Sequence, residues 1–383
     1  MILKILVLGA CGTMGSSVVR DLVKGEDVGQ VVAADRSLDL NRLHESVRNS
    51  PKLLTATIDV EDFDGLVKLM KESDVVVNVV GPYYKYGLHT MRAAIEARTN
   101  YIDIMDDYDT TIEAFGLDEE AKAAGVSICI GFGSSPGFNN IIVKYAADKL
   151  DQVEEADILW LYTLNDTGGA GVVAHMFHAL EGAVPQHLNG ELTFVPAGTG
   201  VEEVEFVEPF GRCPVYYVGH PEPVTIPRYI KGMKTCVNKA GILPLWGNQL
   251  FKDLLDYGFV SEEPITVGGH SITPEQFISE FIQSAPSFKK HVEEWTTEAG
   301  KIIVKGYKDG TPVTYTYSSS GQMAPGTGIP ASICAQMLVL GEITEKGVVA
   351  PEGCVDPKRF FARFAKRGFR MTEMKSVTGE VEL

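Results

Sequence analysis

Three glycines near the start of the chain carry the first chemistry that can be read. Gly9-Ala10-Cys11-Gly12-Thr13-Met14-Gly15 directly follows an apolar run and opens a helical pattern. Glycine lets backbone amides approach a diphosphate closely, and a helix N-terminus adds unpaired N–H groups and partial positive charge. The spacing is GxxGxxG rather than GxGxxG, a variant that keeps the last two glycines in place. Gly9, Gly12, Thr13, Met14 and Gly15 are therefore expected to bind a dinucleotide. Asp35 ends the next apolar run, about 20 residues beyond the last glycine, where a carboxylate accepts hydrogen bonds from the adenosine ribose. It would repel a 2′-phosphate, which argues for NAD. Arg36 keeps NADP open, since it either stacks on adenine or recruits that phosphate. Asp59 and Val60, after the third run, are expected to border the adenine; Asp59 serves equally as a cap for the next helix.

These residues need strands that end beside one another. Ile2–Leu8, Val31–Ala34, Leu53–Ile58, Val75–Val80, Tyr101–Ile104 and Val126–Ile130 read as strands. Helical patterns over Thr13–Lys24, Phe63–Lys71, Gly87–Arg98 and Leu117–Ala124 fall between them. Val75–Val80 is β-branched and does not alternate, which suits a parallel strand buried on both faces. The series predicts an α/β fold, a doubly wound (Rossmann) parallel sheet over residues 1–150.

After Leu150 the texture changes. Asp157–Thr163, Glu191–Val195, Thr225–Ile226, Lys301–Lys308 and Thr311–Tyr317 read as strands with no helix between each pair. The last two flank Lys308-Asp309-Gly310, a hairpin signal. Helical patterns over His175–Glu181, Asn248–Tyr257 and Pro274–Gln283 interrupt them. Residues 151–322 are thus expected to form a second, α+β domain of mixed sheet for substrate binding or dimerisation. Residues 323–383, with helices over Ile329–Leu340 and Pro357–Lys366, are expected to pack back on the first domain.

Ligands of doubly wound sheets bind beyond the carboxyl ends of the strands, where the strand order switches. Three segments fall at such ends: Gly81-Pro82-Tyr83-Tyr84-Lys85-Tyr86-Gly87, Asp103-Ile104-Met105-Asp106-Asp107, and Gly131-Phe132-Gly133-Ser134-Ser135-Pro136-Gly137. Gly81 and Pro82 are expected beside the cofactor, Tyr83 and Gly133 beside the substrate.

Composition narrows the partners. With 383 residues, 45% hydrophobic and 22% charged, the chain can bury a core without staples. A formal charge of -17 and the lack of a Lys/Arg-rich run oppose nucleic acid and anionic membranes. No stretch approaches the roughly 18 apolar residues of a membrane span. The six cysteines form no CxxC pair, so neither a metal site nor a redox couple is expected. A cytoplasmic homodimer is the default expectation.

The motifs GACGTMG, VVGPYYKYG, YIDIMDD and GFGSSPGFNN resemble the saccharopine dehydrogenase family. GHPEPVTIPR, TGIPASICAQM and VVAPEGCVDPKRFFARFAKRG are similar to the second domain and C-terminal return of that family, so the likeness covers nearly the whole chain. Within the family, the HPEP-T-PR segment and the overall length are most similar to the L-lysine 6-dehydrogenase branch. The resemblance implies an NAD(P)-dependent oxidoreductase that transfers hydride between a C–N centre and nicotinamide, with an amino acid or polyamine as the small-molecule substrate. Lysine 6-dehydrogenase activity is the first expectation. A saccharopine or carboxynorspermidine-type imine reductase is the alternative, and a non-catalytic dinucleotide-sensing protein is the rival of another class.

Such chemistry needs a neutral amine, whose ordinary pKa is about 10.4, and anions beside the cationic iminium. Asp103 and Asp106 are the candidate anions; a solvated acidic turn is the bland alternative. His175, three residues before His178 on one helical face, is a base, a substrate-holding group or a core histidine. Lys85 is a base or a surface lysine. Arg212 and Arg228 offer guanidinium groups for a substrate carboxylate, or make structural salt bridges.

Overall fold

The computed structural model describes residues 3–166 and 168–378. Ile2, the expected start of the first strand, and 379–383, the end of the C-terminal segment, lie outside the described residues. The chain divides into two compact units: one runs to Tyr145 and resumes over Ala324–Arg370, the other comprises Ala146–Met323 and the chain from Met371 onward.

The first unit is built on seven parallel strands. β1 (Lys4–Leu8), β2 (Gln30–Asp35), β3 (Leu53–Thr57), β4 (Val75–Asn78), β5 (Asn100–Asp103) and β6 (Ser127–Cys129) follow one another in the chain. In space β1 lies between β2 and β4, with Leu6 level with both Val32 and Val76. The chain winds outward from β1 through β2 to β3, then crosses back to β4 and winds the other way to β6. The switch in strand order therefore falls between β1 and β4. Ile5–Leu8, Val31–Ala34 and Val75–Asn78 are buried throughout, as a sheet covered on both faces requires.

Two features of this unit differ from the sequence reading. The helix expected from Gly87 begins at Tyr83 and runs to Ala97. Its first turn is stabilised from a distance, because the Tyr84 N–H donates to Asp107 Oδ2 at 2.9 Å. The last strand, Gly347–Val349, was not anticipated. It is only three residues long and extends the sheet beyond β6, with Val348 level with Ile128.

In the second unit a long strand, β7 (Gln152–Thr163), has Thr235–Leu243 parallel on one side and Glu298–Lys308 antiparallel on the other. Thr311–Gly321 and Thr372–Val377 continue the sheet, and the latter places the end of the chain here rather than in the first unit. The Thr311 hairpin turns through Asp309 (φ 51°) and Gly310 (φ 73°), the left-handed pair that a two-residue turn needs. Thr225–Ile226, expected as a strand, lies in the helix Glu222–Tyr229. Pro223 in the first turn suits a helix start, and burial of Thr225 and Ile226 on one face outweighs their β propensity.

Candidate functional site

At the switch point, β1 ends and Gly9 turns with φ 75°. A Cβ there would lie 3.0 Å from the Val79 carbonyl oxygen, so the loop after β1 presses directly on the chain leaving β4. The Gly12 N–H closes the turn on the Gly9 carbonyl at 3.0 Å. A Cβ at Gly15 would fall 2.1 Å from that same oxygen and 2.8 Å from Ala10 Cα. Helix α1 (Thr13–Lys24) then starts from extended Gly12, with no side-chain cap and no acidic residue in its first turn. Its leading N–H groups and partial positive charge suit an anion. Thr13 is exposed, whereas Met14 is buried and anchors the turn.

Asp35 closes β2 beside this loop. Its Oδ2 accepts the Cys11 N–H at 3.0 Å and its Oδ1 the Ser37 N–H at 3.1 Å, which fixes the carboxylate against the glycine turn. Arg36 is turned toward Asp59, at 3.9 Å; the Arg36 side chain is largely exposed and Asp59 partly so. Asp59 Oδ1 also accepts the Glu61 N–H at 3.1 Å, and Val60 packs into the core. Gly81 and Pro82, half-buried, follow β4. The structure thus gathers the glycine loop, Asp35 and the β4 exit at adjacent strand ends, the arrangement a dinucleotide diphosphate and ribose require.

Further along the same edge, β4 and β5 end in a buried polar network. Asn78 Nδ2 donates to Thr90 Oγ1 (3.1 Å) and to the Tyr101 hydroxyl (2.9 Å), while its Oδ1 accepts the Val80 N–H. Tyr83, expected beside the substrate, is 4% exposed, and its hydroxyl donates to the Asn78 carbonyl at 3.0 Å. That places it in the wall of the core. Asn78, Thr90 and Tyr101 were not singled out from sequence, because they meet only through the β4–β5 register and the packing of the helix Tyr83–Ala97 on it.

Asp103 is 0% exposed. Its Oδ1 accepts N–H groups from Gly131 (2.8 Å) and Met105 (3.1 Å), whereas its Oδ2 is buried with no partner. Burial pushes its pKa up to about 7; the two N–H donors and the neighbouring Tyr101 hydroxyl oppose that rise, and Asp106 adds to it. Asp106 keeps part of its surface open, while Asp107 is buried. Gly133 is buried too: a Cβ on it would lie 3.1 Å from Thr327 Cγ2, and one on Gly137 2.2 Å from the Gly133 carbonyl oxygen. The loop after β6 is therefore folded on itself through two glycines.

The second unit holds the remaining candidates. His175 lies on the helix Ala170–Ala179, 3% exposed, its ring 5.3 Å from that of His220. His220 Nδ1 is 2.7 Å from Glu222 Oε2, both fully enclosed, and the Trp160 ring lies 5.4 Å from His220. The His220–Glu222 pair escaped the sequence reading as chemistry; its signal was the HPE spacing, with the carboxylate two residues beyond the imidazole. Arg212 is exposed on the strand Arg212–Tyr217, 3.9 Å from Glu203. Arg228 is exposed near the end of the helix Glu222–Tyr229.

A parallel sheet with an uncapped glycine-turn helix at its switch point defines a dinucleotide-binding protein. Two family models place it further: that of the saccharopine dehydrogenase NADP binding domain matches residues 5–129, and that of the saccharopine dehydrogenase C-terminal domain matches residues 182–369. The chain belongs to the saccharopine dehydrogenase family and is an NAD(P)-dependent dehydrogenase. It is 23% identical to a carboxyaminopropylagmatine dehydrogenase of Synechocystis sp., with 97% of each chain covered. It is 24% identical to a carboxynorspermidine synthase of Vibrio cholerae, covering 100% of this chain and 99% of the relative. Its fold matches apo saccharopine dehydrogenase (L-Glu forming) from Saccharomyces cerevisiae, with a TM-score of 0.68 at 17% identity over 98% and 100% of the two chains. Among the described residues no helix is long and apolar enough to cross a membrane.

Proposed function

We propose that the protein reduces an imine formed between a primary amine of a di- or polyamine and a carboxyl-bearing aldehyde. The aldehyde and amine condense with loss of water. Hydride and a proton then add across the C=N bond to leave a carboxyl-bearing secondary amine. The carrying observation is similarity along whole chains to two proteins named for carboxylated polyamines, combined with a strand-end cradle that fits a dinucleotide. The finer lysine 6-dehydrogenase reading uses the same C–N chemistry in the oxidative direction, but the full-length relatives named above are not lysine dehydrogenases.

The bound nicotinamide supplies the hydride. The loop Gly9–Gly15 holds the diphosphate through backbone N–H groups, and Asp35 accepts from the ribose hydroxyls, which favours NAD. Asp106, the partly open carboxylate after β5, stabilises the cationic iminium before hydride arrives. Asp103 is a positioning residue. With Oδ1 committed to two N–H donors, its proton resides on Oδ2, and a pKa of about 7 lets it hold or release that proton at neutral pH.

The test is a screen that follows nicotinamide absorbance in the full-length protein. Di- and polyamines paired with carboxyl-bearing aldehydes are run with NADH and NADPH; lysine, ornithine and saccharopine are run with NAD and NADP. Oxidation of the reduced dinucleotide that needs both amine and aldehyde supports the reading. Turnover of lysine alone selects the finer one. Tight dinucleotide binding with no turnover on any of these substrates would overturn the polyamine reading.

A further inference from the structure

Tyr162, near the carboxyl end of β7, is 1% exposed, and its hydroxyl is buried with no hydrogen-bond partner. An unsatisfied buried hydroxyl costs stability unless something else meets it. The charges that act on it are the carboxylates of Glu298 and Asp166. The antiparallel register, Ala299 level with Leu161 and Gly300 with Trp160, brings Glu298 across from Tyr162 on the same face. On its other side Glu298 pairs with Gly321, where a Cβ would meet nothing within 4 Å, so that flank is open space. Glu298 and Asp166 are hemmed in by protein yet keep part of their surface open, so two partly open carboxylates neighbour a buried phenol.

Neither carboxylate is neutralised. The Thr163 backbone N–H lowers the Glu298 pKa only partly, and Asp166 Oδ2 accepts the Met323 N–H at 3.1 Å; neither supplies a full charge. The cation that faces them, Lys289, feels Asp166 but donates to the carbonyls of Leu164 (3.5 Å) and Asn165 (3.2 Å). Among the described residues neither acid forms an ion pair. Burial, with Asp166 adding to it, holds Glu298 well above the ordinary carboxylate range.

We propose that Tyr162, Asp166 and Glu298 form a binding site for the primary ammonium end of an aliphatic di- or polyamine. This deepens the reading that the protein acts on amines, and rests on it. An ammonium carries three N–H donors and no acceptor, which matches two carboxylates and a hydroxyl oxygen. A divalent calcium ion would want six to eight oxygen ligands, more than these three groups supply. A guanidinium would want a carboxylate edge-on in its own plane. The buried charge that is unfavourable without a ligand becomes favourable once the ammonium arrives. The ammonium favours the ionised form of Glu298 against the burial that opposes it, so binding is coupled to proton release.

The experiment uses the full-length protein and 1,4-diaminobutane, titrated calorimetrically at neutral pH in buffers of different ionisation enthalpy. Glu298→Gln is expected to weaken binding at least tenfold and to diminish the proton release that accompanies it. Tyr162→Phe removes only an unsatisfied hydroxyl, so it should fold at least as well as the parent protein while binding the diamine several-fold more weakly. Dinucleotide affinity, read from the fluorescence of the reduced form, should not change in either variant. Unaltered diamine affinity and proton release in both variants would overturn the proposal and leave a carboxyl–carboxylate pair of purely structural use. If the diamine binds with this signature while the absorbance screen finds no turnover, the site stands and the proposed reaction falls. If turnover occurs but both variants bind diamine like the parent, the reaction stands and the site falls.

Discussion

In the first unit the polar residues stand where strands end; in the second they stand inside the strands. β4 is Val75-Val76-Val77 before it reaches Asn78, and β5 passes through buried Tyr101 and Ile102 before Asp103. In the second unit, Asn238 and Lys239 occupy the middle of the strand Thr235–Leu243 at 0% and 8% exposure. Asn238 accepts from Trp160 Nε1 at 2.7 Å, its N–H donates to Gln186 Oε1 at 2.8 Å, and Lys239 reaches Glu202 at 2.8 Å. A sheet covered on both faces has no place for charge except at its edge, so its chemistry gathers there. A mixed sheet can bury polar side chains if neighbouring strands satisfy them, and those bonds then help set the register. The first unit makes its site largely from backbone, the second from side chains that meet only after folding.

The contrast is broken most severely at Gly15. Even the Cβ of alanine would sit 2.1 Å from the Gly9 carbonyl oxygen, and valine adds two methyl groups. Gly15→Val should weaken dinucleotide binding by at least about 100-fold, in keeping with a cradle that requires close backbone approach. Fluorescence titration with the reduced dinucleotide measures this. Parent-like affinity in a folded variant would mean that the diphosphate does not lie on this loop.

Asp106→Asn keeps the size of the side chain and removes its charge. Loss of one preorganised electrostatic partner of the reacting centre should lower kcat on the order of 100-fold. Dinucleotide affinity should shift by less than about threefold, because the residue lies beyond the cradle. Steady-state kinetics with a productive amine pair separates the two. A common drop in both would move Asp106 away from the reacting centre.

What could be read before folding follows the same division. The Gly9–Gly15 turn, the Asp309-Gly310 hairpin and the helix Pro357–Lys366 are local statements, each decided by glycine, proline or a cap within a few residues. The Thr235–Leu243 strand was missed because Asn238 and Lys239 interrupt its apolar run, and their partners come from β7 and from strands elsewhere in the unit. The Tyr83 helix start depends on Asp107 from beyond β5. The Tyr162–Glu298 pairing joins positions far apart in the chain through strand register. Asp103 was picked out because it ends a strand, but its unpartnered Oδ2 depends on the loop after β6 folding back.

That buried carboxyl gives the first unit a pH signature. Its folded pKa of about 7 lies above the ordinary carboxyl value of 3.8, so the native state binds the extra proton between those limits. The stabilisation is fully present below about pH 4 and is lost as pH rises through 7. Asp103→Asn should flatten this part of the profile and exceed the parent in stability at pH 8 by on the order of 2 kcal/mol. Urea unfolding across pH 5 to 8 reads it. Parallel profiles for parent and variant would show that the carboxyl is already ionised when folded.

The smallest effect concerns the cofactor. Asp35 is held by the Cys11 and Ser37 N–H groups, so its carboxylate cannot swing aside without breaking both bonds. In the proposed binding mode its charge would face the 2′ position of the adenosine ribose, and Arg36, drawn toward Asp59, would offset it only in part. Asp35→Ser keeps an oxygen that can bond a hydroxyl and removes the repulsion. Affinity for NAD should fall and that for NADP rise, moving their ratio about tenfold, the worth of one charge-assisted hydrogen bond. Arg36→Ala should move the ratio the other way by a smaller factor. Parallel titrations with NADH and NADPH settle the sign. A parent protein that already prefers NADPH would mean that Arg36, released from Asp59, overrides Asp35 on binding the phosphate.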